Sequence, residues 1–462
     1  MGNQKKSCVE KINKLIEKNK NQLIQDYYDF LNFPSISSES QYKEQVLNCA
    51  QWLKNYLKQM GFKVDLWPTS GHPVIFATDM EAGPNKPTLL IYNHYDVQPV
   101  DPLEEWLSPP FKPVLRDGQV FARGAQDNKG QCFYVLQALK LYKEQYGSLP
   151  INIKYCIEGE EEMGSAGLSQ ILKTKSEELK ADYLAIVDLG IKDPKIPAVT
   201  LGIRGLITMD VEVQAAKIDL HSGSHGGIVL NPIHVLVEML HKLRDIKGKI
   251  TIPGFYDDIV ELSPEDRTKV SFHFDVVDYQ EATGASSGGG EKEYSAYERA
   301  WLRPTLEING IWGGYTGKGF KTVIPAKAFA KISCRLVPNQ VPEHIGQLVA
   351  NHLMNISPQG VQTTVHVNQG CGKAVRANAS AKIVQAFSKA FEEVFEMPCE
   401  FIYEGASIPI VTELTEACGG EVILVGLGLS SDQIHAPNEH FGIDRLLKGI
   451  LIMSRSIELL DQ

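Results

Sequence analysis

The chain has 462 residues, 43% hydrophobic and 22% charged, ordinary values for a globular protein, and it exceeds the roughly 250 to 300 residues at which single cores split, so two domains are expected. With 46 basic against 56 acidic residues the net charge is -10, which argues against a protein that holds nucleic acid or an anionic membrane by bulk charge. No apolar run approaches the roughly 18 residues of a membrane span, and the start MGNQKKSC lacks the apolar run of a secretory signal. Lys6 also stands where a myristoylation signal at Gly2 wants Ser or Thr, so the tail reads as unmodified. Eight scattered cysteines without a C-x-x-C pair fit a reduced, cytoplasmic protein with buried thiols.

In chain order, residues from about 9 to 60 predict two helices, since Leu23, Ile24 and Tyr27, then Val46, Ala50, Leu53 and Leu57, recur at helical spacing. Strand-like runs at Thr88 to Tyr92, Ile151 to Ile157 and Tyr183 to Val187 then alternate with helical stretches at Gln131 to Tyr146 and Ser165 to Leu179. Such alternation predicts a mixed, mostly parallel sheet sandwiched by helices. From about residue 201 the order becomes strand (Ile203 to Val213), helix (Asn231 to Leu243), strands (Thr305 to Ile311, Ala328 to Leu336), helix from Pro342 and strand (Val361 to Val367). That is a ferredoxin-like α+β unit. Its first helix and second strand are separated by a segment, 254–303, whose Ser286, Ser287 and Gly288 to Gly290 suggest a mobile excursion. After about 370 the alternation resumes with a helix around Ala379 to Phe395, the strand Val422 to Val425 and a helix from Arg445. The expected division is therefore 1–200 with 371–462 as one α/β domain, and 201–370 as an inserted one.

The candidate chemistry gathers at strand ends, where ligands of open α/β sheets collect. His94 and Asp96, two apart in LLIYNHYDV, share a face of one strand, so the carboxylate can orient the imidazole; alternatively His94 is a satisfied surface histidine. Asp127 in RGAQDNKGQ precedes an apolar helix, where it is a candidate ligand, an N-cap, or both, and Gly130 reads as a turn residue. Glu158, Glu160, Glu161 and Glu162 follow another apolar strand in CIEGEEEMGS, either as a solvated acidic loop or as a cluster in need of a cation. Asp188 closes YLAIVD, and His435 lies in the polar loop SSDQIHAPNEHF, with His440 as a rival that its place beside a helix start makes structural. Two histidines and several acids at successive strand ends of one sheet are explained together by a two-cation site of nitrogen and oxygen donors.

The ordered motifs NHYDVQPVDPLEEW, RGAQDNKGQ, EGEEEMGS, DLHSG, TVIPAKAFAKISCRLVPN and EGASIPI resemble the dinuclear zinc metallopeptidase family of cytosolic nonspecific and carnosine dipeptidases, aminoacylase and acetylornithine deacetylase, most of all its dipeptidase branch. The resemblance runs from about residue 20 to the C-terminus. It implies a zinc-peptidase-like catalytic domain with a lid and dimerisation domain inserted into it. It implies two divalent cations, Zn²⁺ first with Mn²⁺ or Co²⁺ as alternatives, bridged by Asp127, with His94 and Asp188 on one and Glu162 and His435 on the other. Asp96 would orient His94, Glu161 would serve as general base toward a metal-bridging water, and the Asp127–Asn128 bond would be cis. His221 would reach a neighbouring subunit's site to stabilise the oxyanion, with His225 as a second candidate, while Arg335 would pair with a substrate's terminal carboxylate and Ser407 would add a hydrogen bond to the substrate. Glu160 adds an acid where relatives often have a neutral residue, which would bear on metal preference or on the base. The implied activity is hydrolysis of dipeptides or small peptides with a free C-terminal carboxylate, in a cytoplasmic homodimer without nucleic-acid or membrane partners. An N-acyl amino-acid deacylase is the alternative substrate class, and a non-catalytic scaffold the alternative outside enzymology.

Overall fold

The computed structural model describes residues 7–368 and 372–462. Gly2, Lys6 and the expected domain boundary at 370/371 lie outside the described residues. The chain divides into two compact units: one takes the chain up to Leu201 with Ala377–Ile402 and Ile410–Gln462, the other Gly202–Arg376 with Tyr403–Pro409. Among the described residues no helix is long and apolar enough to cross a membrane.

The first unit is built on a large mixed sheet flanked by helices. Its strands lie in the order Lys63–Trp67, Val74–Asp79, Asn152–Glu158, Thr88–His94, Tyr183–Val187, Glu421–Val425 and Ala198–Ile203. The four from Asn152–Glu158 to Glu421–Val425 run parallel, and the strands toward the margins are antiparallel. The central strands are nearly continuous Leu, Ile, Val and Tyr runs because both their faces are buried. The parallel register sets His94 opposite Glu158 and Tyr92 opposite Ile186, so the ends of three strands deliver His94, the glutamate run and Asp188 to one edge. Strands Lys63–Trp67 and Val74–Asp79 are additions to the sequence expectation; both are short and bounded by Gly, Ser and Pro.

Helices Lys129–Tyr146 and Ile443–Leu460 pack against each other, and helix Cys8–Leu31 packs on both. Ser7 caps the last of these by accepting from the Glu10 N–H at 3.2 Å. Gly130 is helical, which corrects its reading as a turn residue. A Cβ there would lie 2.0 Å from the Ala125 carbonyl oxygen, so only glycine lets the first turn pass beneath the Arg123–Asp127 loop.

The second unit has the antiparallel sheet order Thr305–Gly313, Lys327–Leu336, Gly205–Gln214, Gln362–Val367. With helices Pro232–His241 and Pro342–Ile356 packed on it, this is the expected ferredoxin-like arrangement. Strand Gly205–Gln214 alternates between buried and half-buried residues, and its inward side chains Ile207, Met209, Val211 and Val213 meet Leu236, Met239, Ile345 and Val349. The segment expected as a mobile excursion instead carries three short helices, Pro264–Lys269, Val276–Thr283 and Ala296–Trp301. Its Gly-rich part is tied down by Arg299, whose guanidinium donates to the carbonyls of Ser287 and Gly289. Turn-forming composition hid the helices, because each is only one or two turns long and is started by a Ser or Asp cap.

Candidate metal centre

The structure brings His94, Asp127, Glu162, Asp188 and His435 together in the first unit. One potential ligand atom each from His94, Asp127 and Asp188 lies within 4.8 Å of the others, and the same holds for Asp127, Glu162 and His435. Asp127 belongs to both groups. Its Oδ1 is 3.1 Å from His94 Nε2 and its Oδ2 is 2.9 Å from His435 Nε2. Asp188 Oδ1 lies 3.7 Å from His94 Nε2, and Glu162 Oε2 lies 3.3 Å from His435 Nε2. Asp127 is not the cap of the following helix; Asn128 takes that place, and the Asp127–Asn128 peptide is cis. His94 is fully buried, which excludes its reading as a surface histidine. The glutamate run is not a solvated loop either, since Glu158 and Glu160 are buried and the Glu162 side chain is 5% exposed.

Each of these side chains is held from behind. Asp96 lies with Oδ1 3.3 Å from His94 Nδ1, and its carboxylate also accepts from Ser37 Oγ at 2.7 Å and from the N–H groups of Glu161 and Glu162 at 3.2 Å. One carboxylate thus fixes both an imidazole and the start of the glutamate turn. Asn128 Nδ2 donates to the Val187 carbonyl at 2.9 Å and to Asp188, while its Oδ1 accepts from Asn93. Gln98 Nε2 donates to Glu162 Oε2 at 2.7 Å. The loop carrying His435 is anchored by the buried pair of Arg445 and Asp432, with N–O distances of 2.6 and 2.7 Å. Glu160 turns away from the cluster into a slot between Gly71 and Gly167, where a Cβ on either glycine would strike its carboxylate, so it is not one of the clustered acids.

Glu439 is a supporting residue that the sequence did not disclose. It is 0% exposed and accepts from Arg123 Nη1 at 2.8 Å and from the N–H groups of Gly124, Gln126 and Asp127 at 2.8, 2.9 and 3.0 Å. Its carboxylate therefore shapes the loop that presents Asp127. Glu439→Ala would strand a buried guanidinium and three N–H groups, and is expected to cost about 3 to 5 kcal/mol in urea unfolding. A loss below about 1 kcal/mol, the value of an exposed pair, would refute this role.

The electrostatics follow from the crowding of buried acids around the two imidazoles. Burial pushes the Glu161 carboxyl well up, assisted by Asp188, Glu162 and Asp127, although His94 opposes. Burial and Asp127 push Glu162 up to about 7, and burial raises Asp188. Asp127 is held below its usual range against burial by His435 and His94, and hydrogen bonds to Asp127 and Glu162 carry His435 up to about 10. Three acids pushed up around one carboxylate held down are like charges that divalent cations would balance. The donor set is imidazole and carboxylate without thiolate, and one carboxylate has an oxygen in each group, so these residues fit divalent ions.

In the second unit, Arg335 Nη1 donates to Ser407 Oγ at 2.8 Å. His221 is exposed; its Nδ1 accepts from the Gly223 N–H at 3.1 Å, and its strand Leu220–His221 pairs with Val323–Ile324. His225 is half-buried at the end of the short helix Ser222–His225. His440, in strand His440–Gly442, stacks on Phe121 at 4.7 Å and is not in either cluster.

Two imidazoles and three carboxylates gathered at one edge of an α/β sheet have the donor set of a candidate site for divalent ions. The model of peptidase family M20/M25/M40 matches residues 90–459. The chain is 32% identical over 460 residues to Cys-Gly metallodipeptidase dug1 of Schizosaccharomyces pombe, covering 96% of this chain and 97% of that protein. It is similar to the M20 family metallo-carboxypeptidase Sso-CP2 of Sulfolobus solfataricus, with a TM-score of 0.84 and 34% identity over 95% of this chain and 99% of that one. It is also similar to human carnosine dipeptidase 1, with a TM-score of 0.80 and 28% identity over 99% of each chain. The chain belongs to peptidase family M20/M25/M40, and it is a metallopeptidase that uses divalent metal.

Proposed function

We propose that this protein hydrolyses the amide bond of dipeptides bearing a free C-terminal carboxylate, using two divalent cations, Zn²⁺ before Mn²⁺ or Co²⁺. The observation that carries the reading is the shared Asp127, whose two oxygens face His94 and His435 separately. Asp127 would bridge, His94 and Asp188 would hold one ion, and Glu162 and His435 the other. When bound, the ions supply Lewis acidity that activates a water and polarises the scissile carbonyl. Glu161 accepts the water's proton as the carbon–oxygen bond forms and returns it to the amine nitrogen as the carbon–nitrogen bond breaks. Asp96 keeps His94 in the required orientation through Nδ1.

In the second unit, Arg335 and Ser407 receive the terminal carboxylate, a task suited to a planar guanidinium beside a hydroxyl. The exposed His221, rather than His225, stabilises the oxyanion in a neighbouring subunit of a homodimer, and the ferredoxin-like unit serves as lid and dimerisation domain. The free, mostly buried thiols support a cytoplasmic setting. The names of the similar Cys-Gly and Beta-Ala-His dipeptidases support dipeptides as the substrate class.

The test is a panel of dipeptides against N-acetylated and N-succinylated amino acids, with metal content measured on the same preparation. Preference for the acylated compounds would move the assignment to a deacylase. Arg335→Ala is expected to raise KM about tenfold or more for a dipeptide while changing its C-terminal amide little. An equal loss on both compounds removes Arg335 from carboxylate recognition.

A further inference from the structure

Arg204 immediately precedes the central strand Gly205–Gln214 of the second unit, and both it and Arg335 are half-buried. Arg335 is the cross-strand partner of Leu206 on one side and Thr305 on the other. Arg204 Nε donates to the Gly405 carbonyl at 3.0 Å, and its main-chain N–H donates to the Ala406 carbonyl at 3.1 Å. A single residue thus grips two successive carbonyls of the loop that brings Ser407 to Arg335. Arg204 Nη1 also lies 3.4 Å from Thr305 Oγ1 and 3.5 Å from the Arg303 carbonyl oxygen. The fit is close: a Cβ on Gly405 would sit 3.1 Å from Arg204 Nη2 and 2.9 Å from the Ala300 carbonyl oxygen.

The charge balance of this corner is as informative as its geometry. The hydrogen-bond partners of both guanidinium groups are carbonyls and hydroxyls, and among the described residues neither has a carboxylate at ion-pair distance. Glu404, in the same loop, spends Oε1 on the N–H groups of Gly405 and Ala406. Burial, and next the charge of Arg335, bring Arg204 down to about 10 against the opposing charges of Glu404 and Glu307. Two like charges held half out of water, with no carboxylate in direct contact, are costly, and an arriving anion that touches them relieves both at once.

We propose that Arg204 is a positioning residue of the substrate-carboxylate subsite: it locks the Glu404–Ser407 loop onto Arg335 and adds a second positive charge that the substrate's carboxylate balances. The inference rests on the reading of Arg335 and Ser407 given above. A residue that merely supported the loop would affect charged and uncharged substrates alike. A residue that contributes charge discriminates between them.

The experiment is steady-state kinetics of the metal-loaded enzyme on one dipeptide and on its C-terminal amide, the amide being read as a competitive inhibitor where its turnover is slow. Arg204→Gln is expected to raise KM for the dipeptide about tenfold with kcat within about twofold, and to change the amide by less than about twofold. Arg204→Lys, which restores the charge but not the Nε geometry, is expected to fall between, near a threefold rise. An unchanged KM, or an equal loss on both compounds, overturns the proposal. Arg335→Ala run in parallel separates the two levels. If it too fails to discriminate, the carboxylate subsite itself is misplaced, whereas discrimination by Arg335→Ala alone rejects only Arg204. Should Arg204→Gln not accumulate as folded protein, Arg204→Lys decides, because an unaltered KM for the dipeptide in that variant is equally fatal.

Discussion

Glu161→Gln is expected to lower kcat by about a thousandfold or more while leaving the metal content of the protein at its wild-type level. The substitution is isosteric, so the main-chain N–H of residue 161 can still donate to Asp96 Oδ1 as in the wild type, and the neighbouring Glu162 keeps its bond from Gln98. What is lost is the capacity to take a proton. Burial among Asp188, Glu162 and Asp127 makes a proton welcome at this carboxyl, which suits a group that must accept one from water and release it to an amine. Turnover within about tenfold of wild type, in protein of unchanged metal content, would assign the proton transfer to another group. A variant that had lost its metal would instead place Glu161 among the ligands.

The second large effect is expected at Asp127. Asp127→Ala removes the one carboxylate that faces both imidazoles, so both ions should go together, and activity should fall by at least about a thousandfold. His435→Ala, by contrast, touches only the group of Asp127, Glu162 and His435, and is expected to release about one ion per chain. Elemental analysis after dialysis distinguishes the cases. Equal stoichiometry in the two variants contradicts a shared bridge, and full retention of metal and activity in Asp127→Ala ends the dinuclear reading.

The residues that meet at the centre were legible in the sequence because parallel strands end on one edge. An apolar run closed by His94, one closed by the glutamates and one closed by Asp188 can be seen without coordinates. The sequence could not choose between a cap and a ligand for Asp127, since both occupy the residue before a helix. The chain gives the cap position to Asn128, whose side chain is spent on Val187 and Asp188, and leaves the Asp127 carboxylate facing the two imidazoles. Glu439 escaped notice because its partners are main-chain N–H groups of a loop remote in sequence, which leave no pattern in side-chain chemistry. The same reason hid Arg204, which works through carbonyls of Gly405 and Ala406. Periodicity found the long helices and the buried strands but missed the helices of 254–303, which are only one or two turns long and whose caps and aromatic contacts do not repeat.

The loop from Asp432 to Glu439 carries one prospective ligand, His435, and also the carboxylate that shapes the bed of another, Asp127, from which His435 is 308 positions removed. During synthesis, therefore, the strands bearing His94, Glu162 and Asp188 emerge long before the centre can close. A nascent polypeptide stalled upstream of this loop would carry four of the five prospective ligands but neither His435 nor the carboxylate that shapes the bed of Asp127. A centre of the proposed kind would therefore close only once this loop had joined the strands made before it.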